Sequence, residues 1–579
     1  MKESIVKLKN KIYNQIAVKS YINYILIIIF SAIICVPLLN KNLNIYVDDG
    51  IQHICRLIGT YQTLRAREFL PMIMSNFCNN FGYSWNIFYS PLTAYAPLIF
   101  KIFNLSFVNC LKIFMLAITI LSGIAMYKFL IKITKNKNIA TLSAILYVLA
   151  PYRITDMYIR VAIAELASFV FIPIVFNGLY TIINEEKNSF LLAWGAIGLV
   201  LTHTVVTLYT AILCFIYLLV FVKKLKSRTI LKNLALNLLI IVLVTSFYWV
   251  GLLQHYLATS YEVFVPGRME VGNKLETYKA KFYQLFYTSK DQPMIYSIGL
   301  VTVLGLVLTP VAWKKLQKEY KRTYVLFLIL GLVLTFMTLT FFPFEKLPRT
   351  LRMIQFTFRL YEFTSFFFAF VVAINYGIII KNFKLKDVVI LSTITVLLLV
   401  PYKDKIDYNI ENNEEILING VKVTQNTGRV HAGMASMEYL PSKAYNVLRT
   451  YVATREDIPI IFNNEENSTE TANIVEYDKN GTNLKFKLTN VKSSTTIELP
   501  YIYYLGYRIY ANGNEIKYTE SDNGFIQISV DEQMARSGNI EISAKYLGTN
   551  EMLIALAISV ISLILLIIFE TKKYFRLQT

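Results

Sequence analysis

Two adjacent aspartates, Asp48 and Asp49, follow the first long apolar run of this 579-residue chain. Neighbouring carboxylates repel each other, so one of them can hold a proton to higher pH, or the pair can bind a cation such as Mg²⁺ or Mn²⁺. Either carboxylate could also take a proton from an attacking hydroxyl. If a helix begins here, Asp49, His53 and Arg56 share one face. The alternative is that an aspartate only caps that helix.

A second group of ionisable residues contains Arg153, Asp156 and Arg160, which follow one another at intervals of three and four. A helix places all three on one face, and two guanidiniums there could bind a phosphate bidentately. The alternative is an Asp156–Arg160 pair that only fixes the loop. Glu165 and His203 are further candidates for positioning a substrate, although a lone histidine is more often structural.

A third group predicts a cluster of basic residues at the end of an apolar segment. Arg352, Gln355 and Arg359 share one helical face, and such a cluster could bind the phosphate or pyrophosphate of a lipid. The alternative is that these arginines only extend to the membrane interface. The sequence contains no Walker A loop, GxSxG elbow, HExxH motif, paired CxxC or Gly-rich nucleotide-binding loop. A cytoplasmic ATPase, or a nucleotide-sugar enzyme with a soluble Rossmann domain, is therefore poorly supported.

The composition predicts a lipid environment for the elements that carry these residues. Apolar residues make up 55% and charged residues 17%, whereas soluble domains have about 45–50% and about 25%. The net charge of +20 comes from short Lys/Arg clusters between apolar runs. This arrangement is the positive-inside pattern of a multi-pass membrane protein, and it gives no reason to expect a nucleic-acid partner.

The predicted fold class is therefore mainly α, with about twelve transmembrane helices and a β-sandwich-like domain before the last one. The segment Ser90–Phe103 holds two prolines and a lysine and is short for a span, so we expect it to lie on the membrane surface. The apolar runs fall near residues 21–39, 108–131, 139–151, 164–183, 189–203, 204–222, 230–253, 295–313, 323–342, 360–380, 386–401 and 552–570.

This arrangement puts the lysine clusters and both termini in the cytoplasm and the candidate residues outside. Alternating apolar and polar residues, with Asn480-Gly481 as a turn, indicate strands within the large polar region. The predicted parts are a basic cytoplasmic N-terminus (1–20), a transmembrane module (21–401) with outer loops at 41–107, 152–163, 254–294 and 343–359, an extracytoplasmic β-rich domain (402–551), a last helix (552–570) and a cytoplasmic tail (571–579).

With an acidic pair after its first apolar run and many predicted spans, the chain resembles the GT-C superfamily of integral-membrane glycosyltransferases. More narrowly, it resembles the bacterial membrane proteins labelled 6-pyruvoyl-tetrahydropterin synthase-related. The matching stretches are DDGIQH at Asp48–His53, FGYSWNIFYSPL at Phe81–Leu92, APYRITDMYIRVAIAE at Ala150–Glu165, LTH at Leu201–His203, IQFTFRL at Ile354–Leu360 and EYLP at Glu438–Pro441.

The resemblance implies an enzyme that transfers a sugar from a polyprenyl-phosphate donor to an envelope polymer or lipid acceptor on the outer face of the cell membrane. It implies that Asp48 or Asp49 acts as base or metal ligand and that Arg153, Arg160 and Arg359 surround the donor phosphate. The sequence has adjacent aspartates where the superfamily has Asp-x-Asp, which puts metal dependence in doubt. Two other functions stay open: a lipid or polysaccharide transporter, and a non-catalytic envelope scaffold.

Overall fold

The structure is a computed structural model, and it describes most of the chain. The described residues are 21–43, 45, 47–66, 72–78, 80–265, 275, 277–289, 292, 294–407, 414–418, 421–425, 437–451, 457–463, 472–491 and 494–576. The predicted basic N-terminus (1–20) and the end of the predicted tail (577–579) lie outside them.

The chain forms two compact units, each built from three separated segments. The first contains Met1–Gly50, Phe100–Ile241 and Glu270–Glu414, and the second contains Ile51–Ile99, Val242–Met269 and Glu415–Thr579. The first unit is helical, and the second combines helices with most of the strands.

The helices of the first unit are long where the sequence is continuously apolar and short where glycine, proline or polar residues interrupt it. They are α1 (Tyr21–Leu39), α3 (Phe107–Thr134), α4 (Lys137–Val148), α5 (Ile163–Asn184), α6 (Leu191–Val200), α7 (Thr204–Val220), most of α8 (Arg228–Val244), α10 (Leu300–Val307), α11 (Lys318–Met337), α12 (Leu360–Ile379) and α13 (Leu385–Leu399).

Phenylalanines at the centre of this unit hold its helices together. Phe366 of α12 stacks against Phe129 of α3 and Phe176 of α5, with ring centroids 5.7 and 5.1 Å apart. Phe327 of α11 lies 4.9 Å from Phe370 of α12. These offset and edge contacts add to the burial of large apolar rings, which stabilises the helical arrangement.

The helices are long and apolar enough to indicate a multi-pass membrane protein, but the count of about twelve spans is not confirmed. Among the described residues, seven helices are long and apolar enough to cross a membrane. The pair α8 and α9 (Ser246–Ala258), which is bent by 67°, would be an eighth span if both helices cross together. The predicted runs near 139–151, 189–203, 204–222 and 295–313 give only shorter helices. The last of these runs is interrupted at Leu308, because Pro310 has no N–H to donate to the carbonyl four residues before it.

The second unit contains α2 (Gly50–Arg65) apart from its first residue, α9, α14 (Ser442–Tyr451) and α15 (Asn550–Arg576). The segment predicted to lie on the membrane surface forms a short apolar helix over Leu92–Phe103. Helix α9 packs along α15, where the Ser246 hydroxyl lies 2.9 Å from that of Ser559.

Two antiparallel sheets follow in the chain segment that alternates apolar and polar residues. Their strands run in the orders β3-β6-β10-β9 and β4-β5-β11-β7-β8, and β1 and β2 form a separate pair. The strands are β1 (Glu414–Ile418), β2 (Val421–Gln425), β3 (Ile460–Asn463), β4 (Asn473–Asn480), β5 (Asn483–Thr489), β6 (Thr495–Ile502), β7 (Tyr507–Ala511), β8 (Asn514–Ile516), β9 (Tyr518–Glu520), β10 (Phe525–Val530) and β11 (Asn539–Tyr546).

Residues two apart in a strand point to the same face, so the alternating apolar residues of each sheet lie on one side of it. The apolar sides of both sheets contribute to one hydrophobic core. Phe486 of β5 and Ile542 of β11 pair across the five-stranded sheet, and Ile497 of β6 and Ile528 of β10 pair across the other. All four side chains belong to the same buried cluster. The β-rich region predicted from the sequence is therefore present.

Candidate functional site

A tight backbone contact brings the acidic pair to the second group of predicted residues. The backbone N–H of Asp49 donates to the carbonyl of Arg160 over 3.0 Å. Gly50 makes this approach possible, because a Cβ on it would lie 2.0 Å from the carbonyl oxygen of Ile45 and 2.9 Å from the Cβ of Val161. Asp48 adopts a positive φ of 44°, which turns the chain before α2 begins.

Arg160 is buried and binds carboxylates from three parts of the first unit. Its Nη2 donates to Asp49 over 2.6 Å, and its Nε lies 3.5 Å from Asp48. Its Nη1 lies 2.8 Å from Glu165 and 3.4 Å from Asp156. The predicted Asp156–Arg160 pair is therefore present, as one contact of a larger set.

Glu165 is the centre of this set, because both its oxygens accept charged or hydroxyl donors. Oε2 accepts from Arg160 and, over 2.9 Å, from the hydroxyl of Tyr152. Oε1 accepts from Nε of Arg359 over 2.6 Å. We call Asp48, Asp49, Asp156, Arg160, Glu165 and Arg359 the ion-pair cluster. Its two arginines come from separate groups in the sequence, and Glu165 joins them.

His203 lies beside the cluster and begins helix α7. Its Nδ1 accepts from the backbone N–H of Val206, so Nε2 carries the proton, and Nε2 is 3.9 Å from Glu165. Burial, together with the positive charge of Arg359, lowers the pKa of His203 to about 3. The imidazole is therefore neutral near pH 7, where it caps a helix and faces the cluster.

Two aromatic rings cover the guanidiniums of the cluster. The Arg160 guanidinium lies 5.1 Å from the ring centre of Phe358 and 5.6 Å from that of Phe356, and the Arg359 guanidinium lies 5.0 Å from Phe356. Such contacts favour a cation at a desolvated position. Residue type and spacing gave no sign of Phe356 and Phe358, although both lie within the stretch Ile354–Leu360 that carries the family resemblance.

The cluster carries more acidic than basic groups: its four carboxylates outnumber its two guanidiniums. Burial, together with the nearby charge of Glu165, raises the pKa of Asp156 well above its ordinary value, so this carboxyl tends to keep its proton. Burial alone would lower the pKa of Arg160, but Glu165 and Asp49 raise it instead. Only the acidic pair reaches solvent: the side chains of Asp48 and Asp49 are 43% and 33% exposed.

Arg153 is held apart from the ion-pair cluster. Its Nη2 donates to Thr119 over 3.0 Å, and its guanidinium lies 4.6 Å from the ring centre of Phe169. Among the described residues, Nε and Nη1 of Arg153, both carboxylate oxygens of Glu362 and Oδ2 of Asp156 are buried without a hydrogen-bond partner. Leaving such a group unpaired costs about 1–3 kcal/mol, so these groups mark a place where a further polar species would be stabilising.

The two predicted metal ligands, Asp48 and Asp49, both face the guanidinium of Arg160. Among the described residues no three His, Cys, Asp or Glu side chains come together in a way that could hold a metal ion. Binding of a divalent cation by the acidic pair stays a prediction of the sequence.

The structure corrects two predictions of shared helical faces. Gln355 has a φ of 66°, so the chain is not one helix from Arg352 to Arg359; Gln355 nevertheless accepts a hydrogen bond from Arg359. The Nε of Arg352 is buried without a hydrogen-bond partner in the described part of the chain. Residues 155–159 form a π-helical turn, so Arg153, Asp156 and Arg160 do not follow α-helical spacing either.

Two residues of the first predicted group belong to the second unit. His53 lies beside Tyr89, with ring centroids 6.2 Å apart. Arg56 is buried and donates to Asn86 and to the carbonyls of Tyr89 and Ser90. Arg56 therefore fixes the loop that follows α2, which is a structural role.

No protein-family model matches the chain. The chain is similar to an uncharacterized protein of Lactococcus lactis subsp. cremoris (strain MG1363). The two are 23% identical over an alignment of 558 residues, and the match covers 88% of each chain. The similarity thus extends over nearly the whole length and assigns no activity.

Proposed function

We propose that the protein is a membrane glycosyltransferase of the GT-C type. It would transfer a sugar from a polyprenyl-phosphate donor to an envelope polymer or lipid acceptor at the outer face of the membrane. The single observation that supports this proposal is the acidic pair: Asp48 and Asp49 are part-exposed carboxylates fixed at the edge of a buried, charged cluster between apolar helices.

In this proposal one carboxylate of the pair takes the proton of the acceptor hydroxyl as that oxygen attacks the anomeric carbon. The bond from the sugar to the phosphate breaks, and the phosphate leaves with the electron pair. Asp49 is the better placed base, because its backbone is hydrogen-bonded to Arg160 and its Oδ2 is held by the same residue. A base held in one orientation lowers the entropic cost of proton transfer.

Phosphate binding by the arginines stays a prediction of the resemblance. Arg160 and Arg359 are already bound to carboxylates, so an incoming phosphate would have to replace part of those contacts. In the part of the chain that the structure describes, two guanidinium nitrogens of Arg153 have no hydrogen-bond partner, so this arginine could bind a phosphate without giving up an ion pair. His203 and Glu165 would act by holding Arg359 and Arg160 in place.

Two structural expectations belong to the same proposal. The two sheets of the second unit would form a β-sandwich that binds the acceptor, and they would lie outside the cell together with the acidic pair. The lysine-rich turns and both chain termini would lie in the cytoplasm.

The test is sugar transfer by purified protein reconstituted into vesicles with a radiolabelled polyprenyl-phosphate sugar. We expect Asp49→Asn to lower the rate by about 10²–10⁴-fold, the usual contribution of a general base. The matched control is Glu186→Gln, which makes the same change from carboxylate to amide at a 46% exposed side chain that pairs with Lys224. Full activity in both Asp48→Asn and Asp49→Asn would overturn the assignment.

A transporter is the second candidate, and one observation favours it. In the described part of the apolar helical unit, Arg153, Asp156 and Glu362 have buried polar atoms without hydrogen-bond partners, as side chains along an internal polar path would. The same vesicles separate the two functions. A transporter moves the labelled lipid between leaflets without forming a new glycosidic bond.

A further inference from the structure

An uncovered aromatic surface lies on the first unit, outside the ion-pair cluster. Residues 281–287, which we call the aromatic loop, contain Phe282, Tyr283, Phe286 and Tyr287. These side chains are 59%, 56%, 43% and 57% exposed. Four adjacent rings form an apolar patch that water does not solvate well, and such patches mark a surface that contacts something else.

The aromatic loop has a defined inner side. A short 3₁₀ helix covers Phe282–Leu285, and the backbone N–H of Lys281 donates to the side-chain oxygen of Gln284 over 2.6 Å. Gln284 and Leu285 are buried, and the carbonyl of Leu285 accepts from the backbone of Ile298. The outward direction of the rings is therefore fixed by the fold.

Backbone hydrogen bonds tie this loop to one end of a span-length helix. Ala280 donates to the carbonyl of Thr338 over 2.8 Å and accepts from the backbone of Thr340 over 3.0 Å. Thr338 directly follows α11, one of the seven helices long and apolar enough to cross a bilayer. Phe341, 58% exposed, adds another uncovered ring at this end.

We propose that the aromatic loop lies in the headgroup region of the bilayer at the end of α11 and anchors this end of the first unit to the lipid. The depth follows from the helix to which the loop is bonded. Irregular backbone exposed to lipid does not occur within the hydrocarbon layer, which excludes a deeper position. The composition fits an interfacial anchor: tyrosines are enriched at the headgroup level, phenylalanines insert at the boundary with the acyl chains, and Lys281 adds a charge for the headgroups.

The loop also continues to the rings that cover the ion-pair cluster. Tyr278 lies edge-on to Phe356 and Phe358, with centroids 5.4 and 5.3 Å apart, and its carbonyl accepts from the hydroxyl of Thr357. Phe356 and Phe358 in turn lie against the guanidiniums of the cluster. An anchored loop therefore holds the cluster at a fixed depth near the membrane surface, whichever reaction takes place there.

The test places a fluorescent NBD label on the loop of the full-length protein in vesicles of phosphatidylcholine and phosphatidylglycerol. Phe282→Cys and Phe286→Cys are made in a Cys214→Ser background, since the other four cysteines are buried and react poorly. The comparator is Asn514→Cys, at the exposed first residue of β8. Vesicles contain lipids spin-labelled either close to the headgroup or deep in the acyl chain.

We expect the shallow quencher to act more strongly than the deep one at both loop positions, and at least about twofold more strongly there than at position 514. Quenching at the loop no greater than at position 514 would overturn the proposal. So would stronger quenching by the deep label, which would place the loop among acyl chains. Protection of the label in native membranes but not in these vesicles would identify a partner protein instead and would also overturn it.

Discussion

At the scale of single residues, the molecule uses its buried charges in two different ways. Glu165 satisfies four neighbours, because it accepts from Arg160, Arg359 and Tyr152 and faces His203. Glu362 is equally buried, and neither of its oxygens has a hydrogen-bond partner in the part of the chain that the structure describes. The same side-chain type therefore has opposite consequences for stability at the two positions.

We expect Glu165→Gln to destabilise the protein by about 3–5 kcal/mol, the usual cost of breaking a buried ion pair. Two guanidiniums would then remain buried with only weak acceptors. Glu362→Gln is the matched control and should leave stability unchanged or raise it, because the amide removes a buried carboxyl that has no partner. Thermal unfolding in detergent measures both. Equal losses in the two variants would contradict the central role of Glu165.

His203 predicts a specific dependence of stability on pH. Its pKa is about 3 in the folded protein and about 6.5 when unfolded, so the unfolded state binds the extra proton first as the pH falls. The stability contribution is fully present above pH 6.5 and is lost between pH 6.5 and 3. At about 1.4 kcal/mol for each pH unit, the loss is about 4–5 kcal/mol at most.

His203→Asn tests this sign, because asparagine can still cap α7 but does not titrate. Chemical unfolding of both proteins at several pH values gives the comparison. The wild type should lose more stability than the variant as the pH falls from 6.5 to 3. Parallel curves for the two proteins would show that His203 does not cause the dependence.

At the scale of elements, close approach of helices decides where the apolar chain can pack. Gly178 of α5 lies against α6, where an added Cβ would be 2.1 Å from the backbone nitrogen of Leu192. Backbone cannot move aside as a side chain can. At Gly251 of α9 the nearest atom is the flexible end of Met552, at 3.2 Å.

Gly178→Ala should therefore destabilise the protein by at least about 1–3 kcal/mol through overpacking. Gly251→Ala should be tolerated, since Met552 can shift and alanine favours helix by up to about 1 kcal/mol. Melting temperatures in the same detergent provide the comparison. An unchanged melting temperature in Gly178→Ala would mean that α5 and α6 do not approach as closely as in the structure.

At the scale of the whole molecule, the charge distribution predicts an orientation in the membrane. Lysine clusters lie at one set of helix ends, and the polar β-rich region lies between α13 and α15 in the chain. The positive-inside rule puts the lysines in the cytoplasm and the β-rich region outside.

Cysteine labelling of intact cells checks this orientation. A membrane-impermeant maleimide should react with Asn514→Cys in intact cells, and with Lys381→Cys only after the cells are permeabilised. Position 514 is the exposed first residue of β8 and position 381 lies in an exposed turn, so access to the reagent and not burial decides the result. Labelling of both from the same side would contradict the predicted topology and, with it, an outer-face active site.

Much of this protein follows from local sequence. Continuous apolar runs such as Phe107–Thr134 and Ile163–Asn184 give long helices because lipid-like surroundings leave the backbone no better partner than itself. Apolar and polar residues alternate over Asn483–Thr489 and Asn539–Tyr546, and both segments form strands because side chains two apart in a strand share one face. The acidic pair and the arginines could be named from their types and spacing.

Tertiary structure alone decided what those charges contact. Asp49 and Arg160 are 111 residues apart and Glu165 and Arg359 are 194 apart, whereas helical spacing reports only neighbours three or four positions away. The π-helical turn at 155–159 and the positive φ of Gln355 also broke the faces that spacing predicted. Which arginine is neutralised and which stays unpaired depends on how distant helices pack, and no local pattern encodes that.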